Sequence, residues 1–359
     1  YKDFFSENLE GKKVTEGKDL IKKELFERGW IDIYYQLTGK VVSRSLTECV
    51  IKIVSDQWFI KYGDRQWKKE AHEALKNLQL FPEIAREQFS YTIDWLNDWA
   101  CTREYGLGTR LPFDEKWLIE SLSDSTIYMA YYTIAHLIKM ISIEKINDNF
   151  FDYIFLNKGS KPKIDQIEKL KEEFEYWYPF DIRNSGKDLI QNHLTFCLFN
   201  HTAIFPKKYW PKGIGINGWV RVEGQKMSKS LGNMISIEEM ADKFGPDASR
   251  LTILSGGENL DDPNWDSEFA KMIKLKLIGW YEFALKNYNK GRRVKKQIDN
   301  WMDNKINDII KESEELIEKT LFRSAIQKIY FSLQEAFRWY LKRTGPSKEI
   351  MDRMIKVQT

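Results

Sequence analysis

The sequence predicts an α/β protein in which a core with a parallel sheet is followed by an all-α helix bundle. Two observations lead to this prediction. Strand-like and helix-like segments alternate as far as about Gly257, an order that is typical of a parallel sheet. After Ser267 the chain is almost wholly helical, and apolar residues such as Ile306 and Ile309 recur near a period of 3.6 residues. That period is typical of helices that bury one face in a bundle.

Composition limits the class of protein. A length of 359 residues suggests about two domains. The chain is 42% hydrophobic and 30% charged, which is a globular balance rather than that of a disordered protein. Its net charge is only +3, so any contact with nucleic acid must come from local basic patches. No apolar run reaches membrane-spanning length, and we therefore expect neither a membrane nor DNA among the partners.

The cysteines indicate a reducing compartment. Cys49, Cys101 and Cys197 lie far apart in the sequence, and no CxxC pair is present. This spacing argues against a zinc ribbon and against a disulfide framework. We accordingly predict a cytoplasmic protein without a protein-bound metal.

Three segments differ in character along the chain. Segment 1–45 mixes short strands with a charged helix from about Gly17 to Arg28. Segment 46–265 is the predicted core and opens with a β-rich stretch from Thr47 to Ile60. Segment 266–359 is the predicted helix bundle, which is incomplete at its end.

A lysine-rich loop is the most specific motif of the chain. A strand-like run, Asn217 to Val222, precedes it, and the spacing from Ser236 to Glu239 predicts a capped helix start after it. Lysine ammonium groups on flexible stems bind phosphate as point charges, and serine hydroxyls can donate to its oxygens. The alternative interpretation is a solvated turn. The loop itself consists of Lys226, Met227, Ser228, Lys229 and Ser230, followed by Leu231, Gly232 and Asn233.

A second candidate site precedes the loop, where Gly186, Asp188 and His193 follow a turn-like stretch, Arg183 to Ser185. Glycine lets the backbone approach a ligand closely, and a carboxylate two residues further on can accept hydrogen bonds from ribose hydroxyls. If a helix begins here, His193 lies about one and a half turns along it. In the alternative, Asp188 stabilises a helix dipole and His193 belongs to the core. His201 has no motif around it, and we predict a structural role.

A dense cationic run begins the predicted bundle. Such clustered charges repel one another unless acidic groups or a polyanion compensate them, so the run is a candidate for phosphate contacts. The alternative is a solvated loop between helices. The run consists of Arg292, Arg293, Lys295 and Lys296.

These motifs resemble the leucyl-tRNA synthetases of the archaeal and eukaryotic-cytosolic type, which are class I aminoacyl-tRNA synthetases. The lysine loop looks like their KMSKS loop, and the resemblance covers nearly the whole chain. Several of the similar blocks are shared with isoleucyl, valyl and methionyl relatives. The segments ESLSDSTIYMAYYTI and GKDLIQNHLTF favour leucine specifically.

The resemblance implies a Rossmann-type core that activates leucine with ATP and Mg²⁺ and transfers it to tRNA(Leu), in translation. Lys226 and Lys229 are implied as the catalytic residues. The leucine side is implied for Ser125, Tyr128 and His193, and for Ser125 the alternative is a hydroxyl bonded back to its own helix. ATP contacts are implied for Gly186, Asp188, His193, Met227, Ser228, Lys229 and Ser230, and tRNA contacts for the run from Arg292 to Lys296.

The sequence also departs from the family pattern. The His-x-Gly-His signature is absent, since no two of the four histidines are three residues apart. The N-terminal half of the nucleotide fold and the editing insertion are missing too. We therefore expect a fragment that does not activate leucine by itself. Two alternatives remain open, a different class I synthetase and a non-catalytic relic or tRNA-binding module.

Overall fold

The computed structural model describes residues 9–43, 45–228 and 232–359. Its residues group into two compact units, Tyr1–Gln57 and Trp58–Thr359, and each is described by itself. The three-part division into 1–45, 46–265 and 266–359 stays a prediction. None of the helices in the described ranges is long and apolar enough to cross a bilayer.

The described part of the chain contains the following helices and strands. The α-helices are α1 Val14–Glu27, α2 Arg65–Asn77, α3 Ala85–Trp95, α4 Ser121–Asp124, α5 Tyr128–Tyr132, α6 Ala135–Ile138, α7 Asp148–Phe151, α8 Ile167–Trp177, α9 His193–Ile204, α10 Ile237–Phe244, α11 Pro246–Gly256, α12 Ser267–Asn287, α13 Gln297–Glu318, α14 Phe322–Ile326, α15 Leu333–Leu341 and α16 Lys348–Gln358. The strands are β1 Phe59–Ile60, β2 Gln79–Phe81, β3 Trp99–Ala100, β4 Thr102–Arg103, β5 Leu118–Ile119, β6 Arg183–Gly186, β7 Gly213–Asn217, β8 Arg221–Val222, β9 Gln225–Lys226 and β10 Asn264–Trp265. Short 3-10 and π-helical turns are Ile143–Lys145, Asp152–Leu156, Lys187–Leu189, Lys207–Tyr209 and Gln327–Ser332.

The first unit contains the helix that the sequence predicts there, although α1 begins at Val14 rather than at Gly17. The β-rich prediction for Thr47 to Ile60 is wrong. Only an isolated bridge at Glu48 and the short strand β1 have strand geometry in that stretch. The physical reason is that apolar side chains of this stretch are exposed rather than packed in a core, since Val50 is 85% exposed and Ile53 is 73% exposed.

The parallel sheet is confirmed, with strand order β2-β7-β6. Helices α2, α3 and α9 pack on it, and their apolar side chains form one buried cluster with those of β7, including Ile214 and Ile216. Helix α9 is buried over most of its length, which fits its apolar sequence HLTFCLFNHTAI. At its start, the side chain of Asn192 accepts a hydrogen bond from the backbone N–H of His193 at 2.5 Å. The packing of α9 on the sheet and the Asn192 cap at the start of α9 therefore determine where His193 lies.

The helix bundle is also confirmed. Helices α13, α15 and α16 contribute to one buried cluster that includes Ile306, Ile309, Phe337 and Met354. The 3.6-residue period of α13 thus corresponds to its buried face.

His201 has the structural role that the sequence predicts. It is fully buried on α9, where its Nδ1 donates to the carbonyl of Cys197 at 2.6 Å and its Nε2 accepts from the hydroxyl of Tyr178. Both ring nitrogens are thus satisfied by the neutral imidazole. Burial lowers the pKa of His201 to about 4.

This burial predicts a pH dependence of stability. In the unfolded chain His201 has its ordinary pKa of about 6.5, so between that pH and 4 only the unfolded chain binds the proton. The free energy of unfolding should therefore fall as the pH drops, by about 2 kcal/mol from His201 between pH 7 and pH 5. Urea unfolding at both pH values measures it. His201→Gln should flatten this dependence, whereas His136→Gln, at an exposed position, should not. Equal pH dependence in the wild type and in both variants would contradict the assignment.

Candidate active site

The carboxyl ends of β6 and β7 lie side by side, because Gly186 pairs with Asn217 at the last position of each strand. Parallel α/β sheets bind their ligands at this edge. The prediction of a turn from Arg183 to Ser185 is wrong, since these residues form most of β6. Their polar side chains do not have the pattern of a strand, and β6 forms through backbone pairing with β7.

Gly186 and Asp188 form a tight turn at this edge. A Cβ atom on Gly186 would lie 2.5 Å from Oδ1 of Asp188, so only glycine leaves room for that carboxylate to fold back over the strand end. Asp188 is exposed and lies on the 3-10 turn Lys187–Leu189, whereas α9 begins only at His193. The structure therefore places Asp188 outside the first turn of α9, and the helix-dipole interpretation loses its basis.

His193 and Ser125 meet although they are distant in sequence. Nε2 of His193 lies 2.8 Å from Oγ of Ser125, whose hydroxyl also donates to the carbonyl of Ser121 at 3.0 Å. The expected position of His193 within a helix is wrong, because it is the first residue of α9. Ser125 therefore makes the hydrogen bond back to its own helix, as the alternative interpretation expects, and it contacts His193 as well.

Arg183 and Tyr128 complete this cluster. Nη2 of Arg183 lies 3.1 Å from Nδ1 of His193, and the guanidinium lies 5.5 Å from the ring centroid of Tyr128. His193 is only 5% exposed. Burial, and next the charge of Arg183, lowers the pKa of His193. The structure thus brings together three residues predicted for one side of the site and adds Arg183, which sequence reasoning missed.

The lysine loop continues from a hairpin of β8 and β9. Its two turn residues, Glu223 and Gly224, have φ angles of 49° and 77°, as a type I′ turn requires. Lys226 ends β9, and its ammonium lies 5.5 Å from the ring centroid of Trp219. Met227 packs against the apolar cluster around Trp265. Lys229 and Ser230 lie outside the described residues.

Asn233, which follows the lysine loop, bonds back to the residues at its beginning. Its Oδ1 accepts from the backbone N–H of Ser228 at 2.8 Å, and its Nδ2 donates to the carbonyl of Lys226 at 3.0 Å. The predicted helix start after the loop is confirmed, since Oγ of Ser236 accepts from the backbone N–H of Glu239. A polar residue directly after Gly232 was the available sequence signal for Asn233.

Asp262 joins the glycine turn to the hairpin. Its carboxylate contacts Nζ of Lys187 at 2.7 Å and Nη2 of Arg221 at 3.0 Å, and it accepts from the backbone N–H of Trp219 at 2.9 Å. The hydrogen bond from Lys187, followed by those from Trp219 and Arg221, holds the pKa of Asp262 well below its usual range. The two predicted phosphate and ribose elements therefore share one anionic anchor. Nothing in the sequence around Asp262 indicates this role.

The guanidinium of Arg292 pairs with a buried carboxylate of the bundle. Its Nη2 contacts Oδ1 of the fully buried Asp299 at 2.7 Å, and the hydroxyl of Tyr340 donates to the same oxygen at 2.5 Å. Hydrogen bonds from Tyr340, Lys296 and Arg292 hold the pKa of Asp299 below its usual value although burial opposes them. Arg292 is therefore less available to an external phosphate than the sequence suggests.

Three residues of the cationic run, Arg292, Arg293 and Lys295, line a predominantly basic cavity. Arg293 and Lys295 line a space of about 550 Å³ together with Lys348, Arg353 and Lys356 of α16. Two acidic residues, Glu349 and Asp352, also line this cavity, where Lys348 pairs with Asp352 at 2.8 Å and Lys295 lies 3.8 Å from Glu349. Lys296 donates through Nζ to the hydroxyl of Thr344 at 3.1 Å.

No group of three or more His, Cys, Asp and Glu side chains could hold a metal ion, as far as the described ranges extend.

Comparison with known proteins identifies the family. Residues 8–266 match the model of the class I tRNA synthetases for I, L, M and V, and residues 299–358 match that of the anticodon-binding domain of tRNA ligases. The chain belongs to the class I tRNA synthetase family.

Curated proteins similar to the chain include leucine–tRNA ligases of archaea and of a yeast. The chain is 46% identical to that of Pyrococcus horikoshii over 93% of this chain and 37% of that protein. It is 40% identical to that of Archaeoglobus fulgidus over 98% of this chain and 39% of that protein. A protein of Schizosaccharomyces pombe named as a putative cytoplasmic leucine–tRNA ligase is 42% identical over 97% of this chain and 33% of that protein. The chain thus spans little more than a third of their length.

A solved structure supports the fold. Methionyl-tRNA synthetase of Mycobacterium tuberculosis, in complex with methionyl-adenylate, superposes with a TM-score of 0.59 over 90% of this chain and 61% of that chain. The sequence identity is 15%, so this likeness concerns the fold alone.

The two neighbouring arginines of the cationic run allow a matched test. Arg292→Ala removes a partner of the buried Asp299, so the thermal midpoint should fall by roughly 2–4 °C or more. Arg293→Ala changes an exposed side chain and should leave the midpoint unchanged. Differential scanning calorimetry of both variants measures this. Equal midpoints would show that the ion pair between Arg292 and Asp299 does not stabilise the bundle.

Proposed function

We propose that the complete protein is a leucine–tRNA ligase, which activates leucine with ATP and transfers it to tRNA(Leu). The observation that supports this most directly is the 46% identity to a leucine–tRNA ligase over 93% of the chain. The cluster of Ser125, Tyr128 and His193 supports a pocket for leucine, and Gly186 with Asp188 supports a ribose site. A cytoplasmic location is part of this proposal, since one relative is labelled cytoplasmic.

The proposed reaction has two steps. A carboxylate oxygen of leucine attacks the α-phosphorus of ATP, the bond from that phosphorus to the bridging oxygen breaks, and pyrophosphate leaves with the electron pair. A ribose hydroxyl at the tRNA terminus then attacks the carbonyl carbon of the adenylate, loses its proton, and AMP leaves. Neither step needs a protein nucleophile. Mg²⁺ enters as part of the ATP substrate complex and shares the phosphate charge.

The residues of the lysine loop act on the first step. Negative charge grows on the pyrophosphate oxygens as the bond breaks, and Lys226 and Lys229 provide cationic donors for it. Stabilisation that is stronger in the transition state than in the ground state raises the rate. Asn233 supports this role because it bonds to the backbone of Lys226 and Ser228, while Met227 packs in the apolar cluster. Ser228 and Ser230 are proposed to donate to the phosphate oxygens.

ATP–pyrophosphate exchange in the complete protein tests the function. Exchange should depend on leucine and should be much weaker with isoleucine, valine or methionine. Exchange that prefers one of those amino acids would assign a different class I synthetase. The absence of exchange with every amino acid, together with retained tRNA binding, would favour a tRNA-binding module instead.

Lys229→Ala should lower the rate constant of exchange by about 10²–10³-fold, because one donor aimed at developing charge is lost. The Michaelis constant for leucine should change little. Lys243→Ala, which removes another lysine from the following helix α10, is the matched control and should retain activity. Unchanged exchange in the Lys229 variant would remove that lysine from the proposed catalytic role.

Asp188→Ala should raise the Michaelis constant for ATP and weaken leucine binding less, because a carboxylate that holds the ribose acts in both the ground state and the transition state. Steady-state exchange at varied ATP and varied leucine separates the two effects. Asp181→Ala, an exposed carboxylate just before β6, provides the control. Normal ATP saturation of a folded Asp188 variant would contradict the ribose assignment.

Docking of tRNA is proposed for the basic cavity of the bundle. The candidates for phosphate contact are Arg293 and Lys295, which line the cavity, and the neighbouring Lys296, whereas the guanidinium of Arg292 pairs with Asp299. Phosphate contacts of this kind give affinity without reading bases, and the affinity falls steeply with salt.

A further inference from the structure

Arg183 has a hydrogen-bonding pattern that sets it apart from the other arginines of the core. Its guanidinium donates from Nη2 to Nδ1 of His193 at 3.1 Å and also contacts the thiol of Cys197 on α9. Its Nη1 is buried and has no hydrogen-bond partner among the described residues. An unpaired buried donor is unfavourable, so satisfied hydrogen bonding alone does not explain why this side chain lies here.

The chemistry of the guanidinium fixes the state of the imidazole. Arginine is always protonated and can only donate, so Nδ1 of His193 must present its lone pair. The proton of the neutral ring then lies on Nε2, which donates to Oγ of Ser125 at 2.8 Å. Because that oxygen accepts from His193, its own hydrogen goes to the carbonyl of Ser121 at 3.0 Å. The hydrogen bonds therefore all run in one direction, from Arg183 through His193 and Ser125 to the carbonyl of Ser121.

The surroundings of His193 agree with a neutral ring. Arg183 on β6 adds a positive charge on the Nδ1 side, and burial also opposes protonation. Glu120, ahead of α4, acts in the opposite sense but is only 6% exposed and accepts from the N–H and the hydroxyl of Ser123. Tyr128 presents its ring face to Arg183.

We propose that Arg183 is a positioning residue of the amino-acid pocket, which holds His193 as the neutral Nε2–H tautomer. The inference rests on the proposed leucine site. Both ring nitrogens of His193 and the hydroxyl hydrogen of Ser125 are then engaged within the protein. An aliphatic side chain can pack against His193 and Ser125 without leaving their polar groups unpaired, whereas a polar side chain finds no free donor hydrogen on these two residues. Arg183 thereby favours an aliphatic substrate without contacting the reacting atoms.

Nitrogen NMR of histidine-labelled protein tests this without measuring activity. The chain has four histidines, and the His193 signals are identified by their loss in His193→Gln. In the wild type, Nδ1 should be unprotonated and Nε2 protonated. A wild-type ring with its proton on Nδ1 would overturn the proposal by itself, even if no Arg183 variant folds.

Variants then separate positioning from a merely structural role. In Arg183→Met the titration midpoint of His193 should move upward and the fixed tautomer should be lost, while Arg183→Lys should restore both in part. Arg110→Met, at an exposed arginine, is the control. A variant that only unfolds more easily, with the His193 tautomer and midpoint unchanged, would overturn the proposal.

Kinetics in the complete protein connect this residue to the substrate. Arg183→Met should raise the Michaelis constant for leucine at pH 6 by about tenfold relative to pH 8, as expected for a wall that becomes charged. Leucine-dependent exchange without that pH effect would overturn this inference alone. Absence of leucine-dependent exchange in the wild type, with the NMR result as predicted, would contradict the leucine function and leave the His193 tautomer in place.

Discussion

The parallel pairing of β6 with β7 is the constraint on which the candidate site depends. Its register sets Gly186 beside Asn217 at the sheet edge. The close approach of the chain leaves no room for a side chain at Gly213, because a Cβ there would lie 2.6 Å from the carbonyl oxygen of Asp181, and a Cβ on Gly215 would displace the side-chain amide of Asn184, whose Oδ1 lies 2.0 Å from that position. Glycine and isoleucine therefore alternate in β7 for two reasons. The glycines allow close approach of the neighbouring chain on one face, and the isoleucines pack in the core on the other.

From this register the two halves of the site follow in opposite directions. Arg183 at the start of β6 reaches the imidazole of His193. Gly186 at the end of the same strand begins the turn that carries Asp188. One four-residue strand thus separates the neutral side, which is proposed for the amino acid, from the acidic side, which is proposed for the ribose. Asp262 then extends the arrangement to the hairpin through its contacts to Lys187 and Arg221.

The hairpin is also connected to the helix bundle. Oε1 of Glu223, in the I′ turn, accepts from the backbone N–H of Ser267 at 3.0 Å, and Asn264 accepts from the backbone N–H of Gly224 at 2.7 Å. The first residue of α12 is therefore bonded to the turn that presents the lysine loop. The loop, the core sheet and the first helix of the bundle form one hydrogen-bonded assembly.

The sequence predicted those features that arise from local patterns. The helix period gave the bundle, the capping spacing gave the start of α10, and the order of segments gave the parallel sheet. The pairing of Ser125 with His193 came only from family resemblance, since the two residues are 68 positions apart. Arg183, Asn233 and Asp262 were missed because each acts through a partner that is determined by tertiary structure. The β-rich prediction near Val50 was wrong because residues that favour strands still need a neighbouring strand to pair with.

The most direct test of the account is a crystal structure of the complete protein with a non-hydrolysable leucyl-adenylate analogue. The account predicts that the ribose hydroxyls of the analogue contact Asp188, and that its leucyl side chain lies against Ser125, Tyr128 and His193. An analogue bound with its leucyl group away from His193, or with its ribose remote from the turn at Gly186, would contradict the central claim.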